Sequence, residues 1–584
     1  MDIPTVPGPI LALDIGGAFT RAFLIDNVKN HYRLIGTGDS NTTLGLFGPN
    51  IRHGVRMAME ELQANTGRIL LNAHKDLIQP GSPDGNGVNQ CVVTISAGPP
   101  IKIFLIGMAK DSTLNQIERL IYTTYFRQFQ IFGLDETSRP ETILDDILKS
   151  RPDLIIASGG WDGGSPKSLS QVIEPIRLTF LRLPSTYRPE ILFLGSQDLQ
   201  SRVRTYFNQS HNFHYAPISW PGRDPELFEL ARLSLAAVTV KIRSRQLPGL
   251  PDLIQWSQGN VLTSNVAFGH IIRFINQAYA TKKGVLGIDY GISGVTIAGA
   301  VAGRLIQSTH TEYCAESITN GIVNLESTRP IADWLMDPEP SQDDVLEYLT
   351  NKSIYPTSLP KSSRDTNIQE AIARLTIHAA IADTLDRNPA EAGLSKDGSL
   401  APVEPILASG GMLSAGMHPG RVCLLLLDSI QPKGITTLVL DPKQVAAALG
   451  AIAGLNSDAA MQIIDSNIFL HLATVISPVG TAPPGTPILR ASMTRDDGSV
   501  KTLDLKQGEI DVMPLSPGMK ARLQLQPFQR FNIGMGGAGR GGSLWVVGSV
   551  MGVVIDGRGR PLKLPDDMYR RSDLNRKWLW MLGC

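Results

Sequence analysis

Cysteine is scarce. The chain of 584 residues has four, Cys91, Cys314, Cys423 and Cys584, far apart from one another. They form no disulfide framework and no CxxC ligand pair, and a reducing cytoplasm is the simplest compartment for such a chain. An excess of charge of either sign is missing too. Lys+Arg and Asp+Glu each number 54, and charged residues make up 18%, below the ~25% of ordinary globular chains. A neutral chain carries no global field to draw in nucleic acid, so no nucleic-acid partner is expected. Long apolar runs are the third absence. None reaches the ~18 residues that span a bilayer, and the longest, Val445–Leu455 and Leu544–Ile555, fit a buried helix and a buried strand. No membrane partner is expected. Met1-Asp2-Ile3-Pro4 has neither a basic nor an apolar leader region, so no signal peptide is expected.

What is present is apolar residue at 42%, with 56 glycines and 39 prolines. That is enough to build several cores, and the length suggests about four domain-sized units. The N-terminal segment reads as an antiparallel meander, 10–15, 19–25 and 32–36, then a helix over 51–62 and strands at 91–96 and 101–108. Leu114–Phe129 has helical spacing. Across 153–219 strand, helix, strand, helix and strand alternate, which predicts a parallel α/β unit. Helices follow at 225–238 and 266–279. From Gly284 the opening pattern returns, with strands at 285–290, 295–301 and 304–309. The order strand-Asp-x-Gly-strand-strand thus occurs twice and reads as an internal duplication. Helices are expected at 341–350, where Ser341-x-x-Asp344 resembles a capping box, and at 368–386. Strands are expected at 405–408 and 437–440, then a helix from Asp441-Pro442 to Leu455 with proline in its first turn. Beyond 467 helical periodicity stops. Short β-like runs between Gly, Pro and Asp-Gly turns predict an all-β domain, ending in a basic stretch, Arg570–Lys577, before Trp578 and Trp580. The expected domains are a first lobe at 1–280 with an α/β insert at about 150–220, a second lobe at 281–460, and the β domain at 467–584.

Four motifs carry chemistry. Leu11-Ala-Leu-Asp14-Ile-Gly16-Gly17-Ala-Phe-Thr20-Arg21 sets a carboxylate at a strand end, where it can hold a hydrated divalent metal. Glycines beyond it let backbone N–H groups approach a phosphate, and Thr20 and Arg21 add a hydroxyl and a cation. Gly287-Ile-Asp289-Tyr-Gly291-Ile-Ser293-Gly294 repeats the theme. Ile406-Leu-Ala-Ser-Gly410-Gly411 runs a strand into a glycine pair that can lie against a flat ligand such as adenosine. Asp441-Pro442 precedes the small-residue helix through Ala453, a packing signature.

In this order the four resemble the phosphate-1, phosphate-2, adenosine and final-helix motifs of the actin/hexokinase/heat-shock-70 ATPase superfamily, over roughly 10–456. Within it the chain looks most like the glutamate mutase MutL family, through Asp14-Ile-Gly with Thr20-Arg21, the loop Ala157-Ser-Gly-Gly-Trp-Asp-Gly-Gly164 and the Asp441-Pro442 helix. The resemblance implies an α/β, two-lobe actin-like ATPase fold with ribonuclease H-like lobes, here with an added C-terminal all-β domain. It implies lobes that clamp Mg-ATP, with Asp14 and Asp289 as catalytic and Mg2+-holding carboxylates. Gly16, Gly17, Thr20, Arg21, Gly291, Ser293, Gly410 and Gly411 would be its nucleotide-binding residues. It further implies a chaperone-like role on a protein client, an adenosylcobalamin-dependent mutase.

The departures shape the functional expectation. Gly17 and Ala18 stand where the superfamily places a hydroxyl, and Ile292 occupies its second glycine position. Close backbone approach is unfavourable at a β-branched residue, so weak nucleotide binding, or binding without efficient hydrolysis, is expected. Glu312 and Glu316 are the nearest candidates for activating water, each competing with a plain surface role. A non-enzymatic scaffold on the same fold is the alternative. A small-acid or sugar kinase ranks third, since no Asp general base stands out. His211-x-x-His214 lacks further ligands and is a poor metal site. Gly534–Gly542 around Arg540 reads as a β-turn region or an anion loop.

Overall fold

The computed structural model describes residues 8–44, 48, 50–107, 113–133, 139–159, 166–207, 211–218, 224–313, 329–335, 341–388, 393–396, 399–414, 417–528 and 530–584. Residues 160–165 of the Gly-rich loop, with Trp161, and also Glu316 and Cys314, lie outside them. Apart from His31–Arg33, which group with the second, the chain divides between Ala267 and Phe268 into two compact units. The sequence expectation put this point after 280.

In the first unit, β1 (Ile10–Ile15), β2 (Phe19–Val28) and β3 (His31–Asn41) form the meander. Every residue of β1 is buried, because both its faces are covered. Leu11, Leu13 and Ile15 pack with Val55, Ala58, Met59 and Leu62 of the helix Ile51–Thr66. Asn50 caps that helix through its side chain, and Gly67, in the left-handed region, ends it. β4 (Gln90–Ile95) lies parallel to β1 on the side away from β2. Five more strands follow: β5 (Ile101–Gly107), β6 (Phe126–Gly133), β7 (Leu154–Ser158), β8 (Glu190–Gly195) and β9 (Phe213–Pro217). They form a separate parallel sheet in the order β6-β5-β7-β8-β9. This α/β layer therefore starts near 101 rather than 150. Leu114–Phe129 is not one helix: the helix stops at Ile121, and Phe126 opens β6. Phe126, Phe129, Ile131 and Phe132 make the stretch rich in aromatic and β-branched residues, which favour a strand. β10 (Val261–Thr263) returns to the first sheet beside β4, giving β10-β4-β1-β2-β3.

The second unit repeats that sheet. β11 (Val285–Gly291), β12 (Gly294–Val301) and β13 (Arg304–His310) form a meander. A short ribbon, β14 (Ser395–Lys396) with β15 (Ser399–Leu400), precedes β16 (Ile406–Ser409) and β17 (Gly434–Leu440). β16 is parallel to β11, and β17 is parallel to β16. Counted along the chain, the strand order in both sheets is 3-2-1-4-5, with matching directions. The duplication read in the sequence is thus a duplication of topology. The capping box of Ser341 with Asp344 opens the helix Gln342–Ile354, and a second, Ser362 with Asp365, opens Ser363–Arg387. The helix expected to start at Pro442 starts instead at Ala446.

The C-terminal region has the expected β sheets. β19 (Pro487–Arg495), β20 (Val500–Lys506), β22 (Lys520–Pro527) and β23 (Gly542–Val547) form an antiparallel sheet of their own, ordered β20-β19-β22-β23. The other strands, β18 (Leu470–Ser477), β21 (Ile510–Met513) and β24 (Val553–Asp556), extend the second lobe's sheet beyond β17. The basic stretch 570–577 lies in a helix, Met568–Met581, capped by Asp567. Among the described residues no helix is long and apolar enough to cross a membrane.

Buried charge ties this region to the second lobe. Asp556 accepts hydrogen bonds from the guanidinium groups of Arg558 (3.0 Å) and Arg560 (2.6 Å). Arg558 also reaches Asp428 on the helix Pro419–Ile430 at 2.6 Å, and Asp428 accepts from Arg374 at 2.7 Å. The Arg558 guanidinium lies 4.7 Å from the Trp578 ring centroid. Burial alone would raise the Asp556 carboxyl, but the charges of Arg558 and Arg560 outweigh it and hold the group well below the usual carboxylate range. Two outcomes follow. Arg558→Ala leaves Asp556 and Asp428 short of a partner and is expected to cost about 3–5 kcal/mol, read as a fall in Tm. The stability that ionised Asp556 contributes is complete above the ordinary Asp value near ~4 and is lost as pH falls below it. Asp556→Asn therefore lowers Tm at neutral pH and flattens its acid limb.

Candidate functional site

Both meanders carry an aspartate near the end of their first strand, Asp14 in β1 and Asp289 in β11. In the first lobe, register sets Asp14 opposite Arg21 on β2 and opposite Thr94 on β4. Residues directly opposite share a face, so Arg21, Asp14 and Thr94 form a row across three strands. Asp14 is nearly buried, at 9% exposure, and its Oδ1 accepts from Thr94 Oγ1 (2.6 Å) and Ser264 Oγ (3.1 Å). Burial raises its pKa, against the lowering effects of the Thr94 bond, the Arg21 charge and the Ser264 bond. Arg21 makes an ion pair with Asp39 at 3.5 Å and lies 5.6 Å from the Phe19 ring centroid.

The turn after Asp14 is held from one side. Gly16 N–H donates to Phe19 O at 2.9 Å. Thr42 Oγ1 donates to Gly16 O at 2.8 Å, and Thr42 N–H to Ala18 O at 2.8 Å. Thr20 is not part of the Asp14 row. Its register partner is Ile15, so it faces the other side of the sheet, and its buried hydroxyl is bonded to Thr42 Oγ1 at 3.0 Å. The sequence reading put Thr20 on the phosphate; the structure gives it to the turn's support. Gly17 lies exposed beyond the turn.

The second lobe repeats the row. Asp289 stands opposite Thr296 on β12 and Ser409 on β16, the positions Arg21 and Thr94 take beside Asp14. The turn Gly291-Ile292-Ser293-Gly294 follows. Its positive φ, 134°, falls on Gly294 and not on Ile292, so the β-branched residue carries no backbone strain there. A Cβ on Gly291 would meet nothing within 4 Å, so that backbone faces open space. A Cβ on Gly294 would come within 2.5 Å of His310 O.

Gly410 has φ of 97°, and a Cβ there would lie 2.3 Å from Tyr290 O. Glycine is required because the β16 turn lies directly against the backbone of the Asp289 strand. Gly411 is looser, its nearest neighbour being Gln444 at 3.5 Å. Asp441 is fully buried and has a different task from starting a Pro-led helix. Its Oδ2 accepts from Ser409 Oγ (3.0 Å) and from Ala446 N–H (2.8 Å), tying the Gly410 turn to the helix Ala446–Ala453. Thr42, Thr94, Ser264 and Asp441 were missed as supports. Only Asp441 had a sequence signal, an Asp ahead of a small-residue helix.

Glu312 bonds His310 Nδ1 at 3.1 Å. His214 pairs with buried Glu190 at 2.7 Å, which Lys241 and Arg245 also contact.

The donor set fits a hydrated magnesium and a phosphate chain. Asp14 and Asp289 are carboxylates at strand ends, and Gly291 leaves space for close approach. In the first unit Asp14 and Arg21, and in the second Asp289, Gly291 and Ser293, are the residues whose chemistry suits such a group. The hydroxyl next to Asp14 in sequence, on Thr20, is committed elsewhere.

Strand order and strand-end aspartates together define a two-lobe protein of the actin-like ATPase fold. The MutL protein family model matches residues 10–468, most of the chain. The chain belongs to the MutL protein family. Several solved structures are loosely similar. Nucleotide-free acetone carboxylase shares 11% identity at a TM-score of 0.30, over 86% of this chain and 82% of that one. Component A of (R)-2-hydroxyglutaryl-CoA dehydratase from Acidaminococcus fermentans shares 8% at 0.27, over 77% and 99%. Glycerol dehydratase reactivase shares 10% at 0.29, over 77% and 100%. No curated protein matches the chain.

Two substitutions test this geometry. Asp14→Asn removes a carboxylate whose ionisation burial disfavours, so at neutral pH, without a cation, Tm is expected to hold or rise. A fall of several degrees would contradict the assigned burial. Gly410→Ala is expected to cost roughly 1–3 kcal/mol from its φ alone, with the clash on Tyr290 adding to it.

Proposed function

We propose that the chain is a nucleotide-dependent accessory factor that binds Mg-ATP and acts on a protein client, an adenosylcobalamin-dependent mutase. The observation that carries the nucleotide reading is the repeated row: in each lobe a strand-end aspartate has a hydroxyl residue opposite it on the parallel strand, Thr94 for Asp14 and Ser409 for Asp289. Membership of the MutL family and the motif resemblance support the client. Bound Mg2+ neutralises phosphate charge. The chain's own residues then have defined tasks. Thr94 and Ser264 hold the Asp14 carboxylate in place, Arg21 offsets its charge, and Gly291 admits the ligand to the backbone.

Turnover is proposed to be slow. Neither Gly17 nor Ala18 offers a hydroxyl, and that of Thr20 is bonded to Thr42. The same observation favours the second reading, a scaffold that binds nucleotide or client without hydrolysis.

Calorimetry with Mg-ATP is expected to show binding that Asp14→Asn and Asp289→Asn each weaken at least tenfold. Absence of heat and of any thermal shift would overturn the nucleotide reading. Phosphate release faster than about 1 s⁻¹, a rate ordinary for enzymes, and abolished by Asp14→Asn would overturn the slow-turnover reading. ATP-dependent capture of a purified adenosylcobalamin mutase tests the client.

A further inference from the structure

The five-stranded parallel sheet of the first unit has a topology of its own. Counted along the chain from β5, its order β6-β5-β7-β8-β9 is 2-1-3-4-5. The helices sort by face. Ile117 of the helix Thr113–Ile121 and Leu235 of the helix Pro225–Gln246 share one core cluster with Leu154 and Ile156 of β7. Ile147 of the helix Pro140–Ser150 and Val172 of the helix Pro166–Arg182 share another with Ile155 and Ala157, on the opposite face. The chain thus leaves β5 for β6 on one face and returns from β6 across β5 to β7 on the other. Right-handed crossovers require that change of face where the direction of travel reverses. The reversal falls between β5 and β7. In such sheets ligands bind in the crevice outside the carboxyl ends of the strands at this point.

A second observation marks the same place. Ser158, the last residue of β7, is 1% exposed, and among the described residues its Oγ has no hydrogen-bond partner. Alternation along β7 puts it on the face of Leu154 and Ile156, which is the face of the helix Thr113–Ile121. That helix follows β5, so its N-terminus lies at the carboxyl end of the sheet. Register pairs Gly107 with Gly133 and Ile106 with Ala157, so one step further Gly107 stands beside Ser158. Gly133, Gly107 and Ser158 form a row across three strand ends, and two of the three have no side chain.

A buried hydroxyl without a partner costs stability and is uncommon in folded chains. The groups that converge on this row are donors. They are the Ser158 O–H and the first-turn N–H groups of the helix, which lack partners within it and carry the positive end of its dipole. Glycine at 107 and 133 lets a ligand approach the backbone. An anion satisfies this set. We propose that the carboxyl ends of β5 and β7 bind the phosphate group of a small ligand, with Ser158 Oγ donating to a phosphate oxygen. The site is independent of the Mg-ATP reading: it belongs to a different sheet and uses none of the residues of the aspartate rows.

The test titrates the full chain, in EDTA so that no Mg-ATP is bound, with inorganic phosphate and with flavin mononucleotide. Saturable binding of one equivalent of at least one probe is expected. Ser158→Ala should weaken it at least tenfold, in keeping with a lost hydrogen bond to a charged group. Ser158→Val, which also fills the row, should abolish it, and both variants should keep the wild-type circular dichroism. Because the Ser158 hydroxyl bonds to no described residue, Ser158→Ala should hold or raise Tm in the absence of phosphate. Tighter binding of flavin mononucleotide would identify a phosphate monoester as the ligand, and equal affinity the free ion; both support the site. No saturable binding of either probe, binding that Ser158→Ala leaves intact, or a lower Tm in that variant would overturn it. Binding lost in Asp14→Asn and retained in Ser158→Ala would place the phosphate in the Asp14 row and overturn it too.

Discussion

Arg558 holds the second unit together. Its guanidinium is buried, bonded to Asp556 beside it in the chain and to Asp428 on a lobe helix, and covered by Trp578. Two carboxylates and an aromatic face satisfy a charge that burial would otherwise penalise heavily. Arg374 extends the network to the helix Ser363–Arg387, and Arg560 to Ser477 on β18. β18, β21 and β24 can thus continue the lobe's own sheet. The C-terminal sheets are not an appendage on a linker, because part of their strand set completes the lobe.

The candidate site depends on a different constraint, the register of a parallel strand beside an antiparallel hairpin. That geometry puts a residue of the neighbouring parallel strand directly opposite the aspartate near the end of the first strand. In the first lobe it is Thr94, whose hydroxyl donates to the carboxylate. In the second it is Ser409, whose hydroxyl goes instead to Asp441. The two halves share a plan and differ in chemistry. Asp14 is buried and supported by two hydroxyls, whereas Asp289 is half-buried beside an open glycine turn.

Much of this was legible in local sequence. The two meanders, the capping box at Ser341, the positions of Asp14 and Asp289 and the glycine at 410 all follow from short-range rules. Each depends on residues within one turn or one hairpin. The misreadings share a cause. Phe126–Gly133 belongs to a strand because β5 is there to pair with it. Thr20 was assigned to a ligand because it neighbours Asp14 in the motif, but alternation along β2 turns it to the opposite face. Asp441-Pro442 looked like a helix start, but the carboxylate reaches forward to Ala446, and the helix begins there.

The sequence by itself determined most of the elements, their duplication and the two carboxylates near the strand ends, because hydrophobic period, capping and turn chemistry are local. Only the tertiary structure decided which hydroxyls serve those carboxylates, and that Thr42 rather than a ligand takes Thr20. It also decided that His310 meets Asp383, 73 residues further along the chain. Pairings across such separations are set by strand order and helix packing, and no spacing in the chain encodes them.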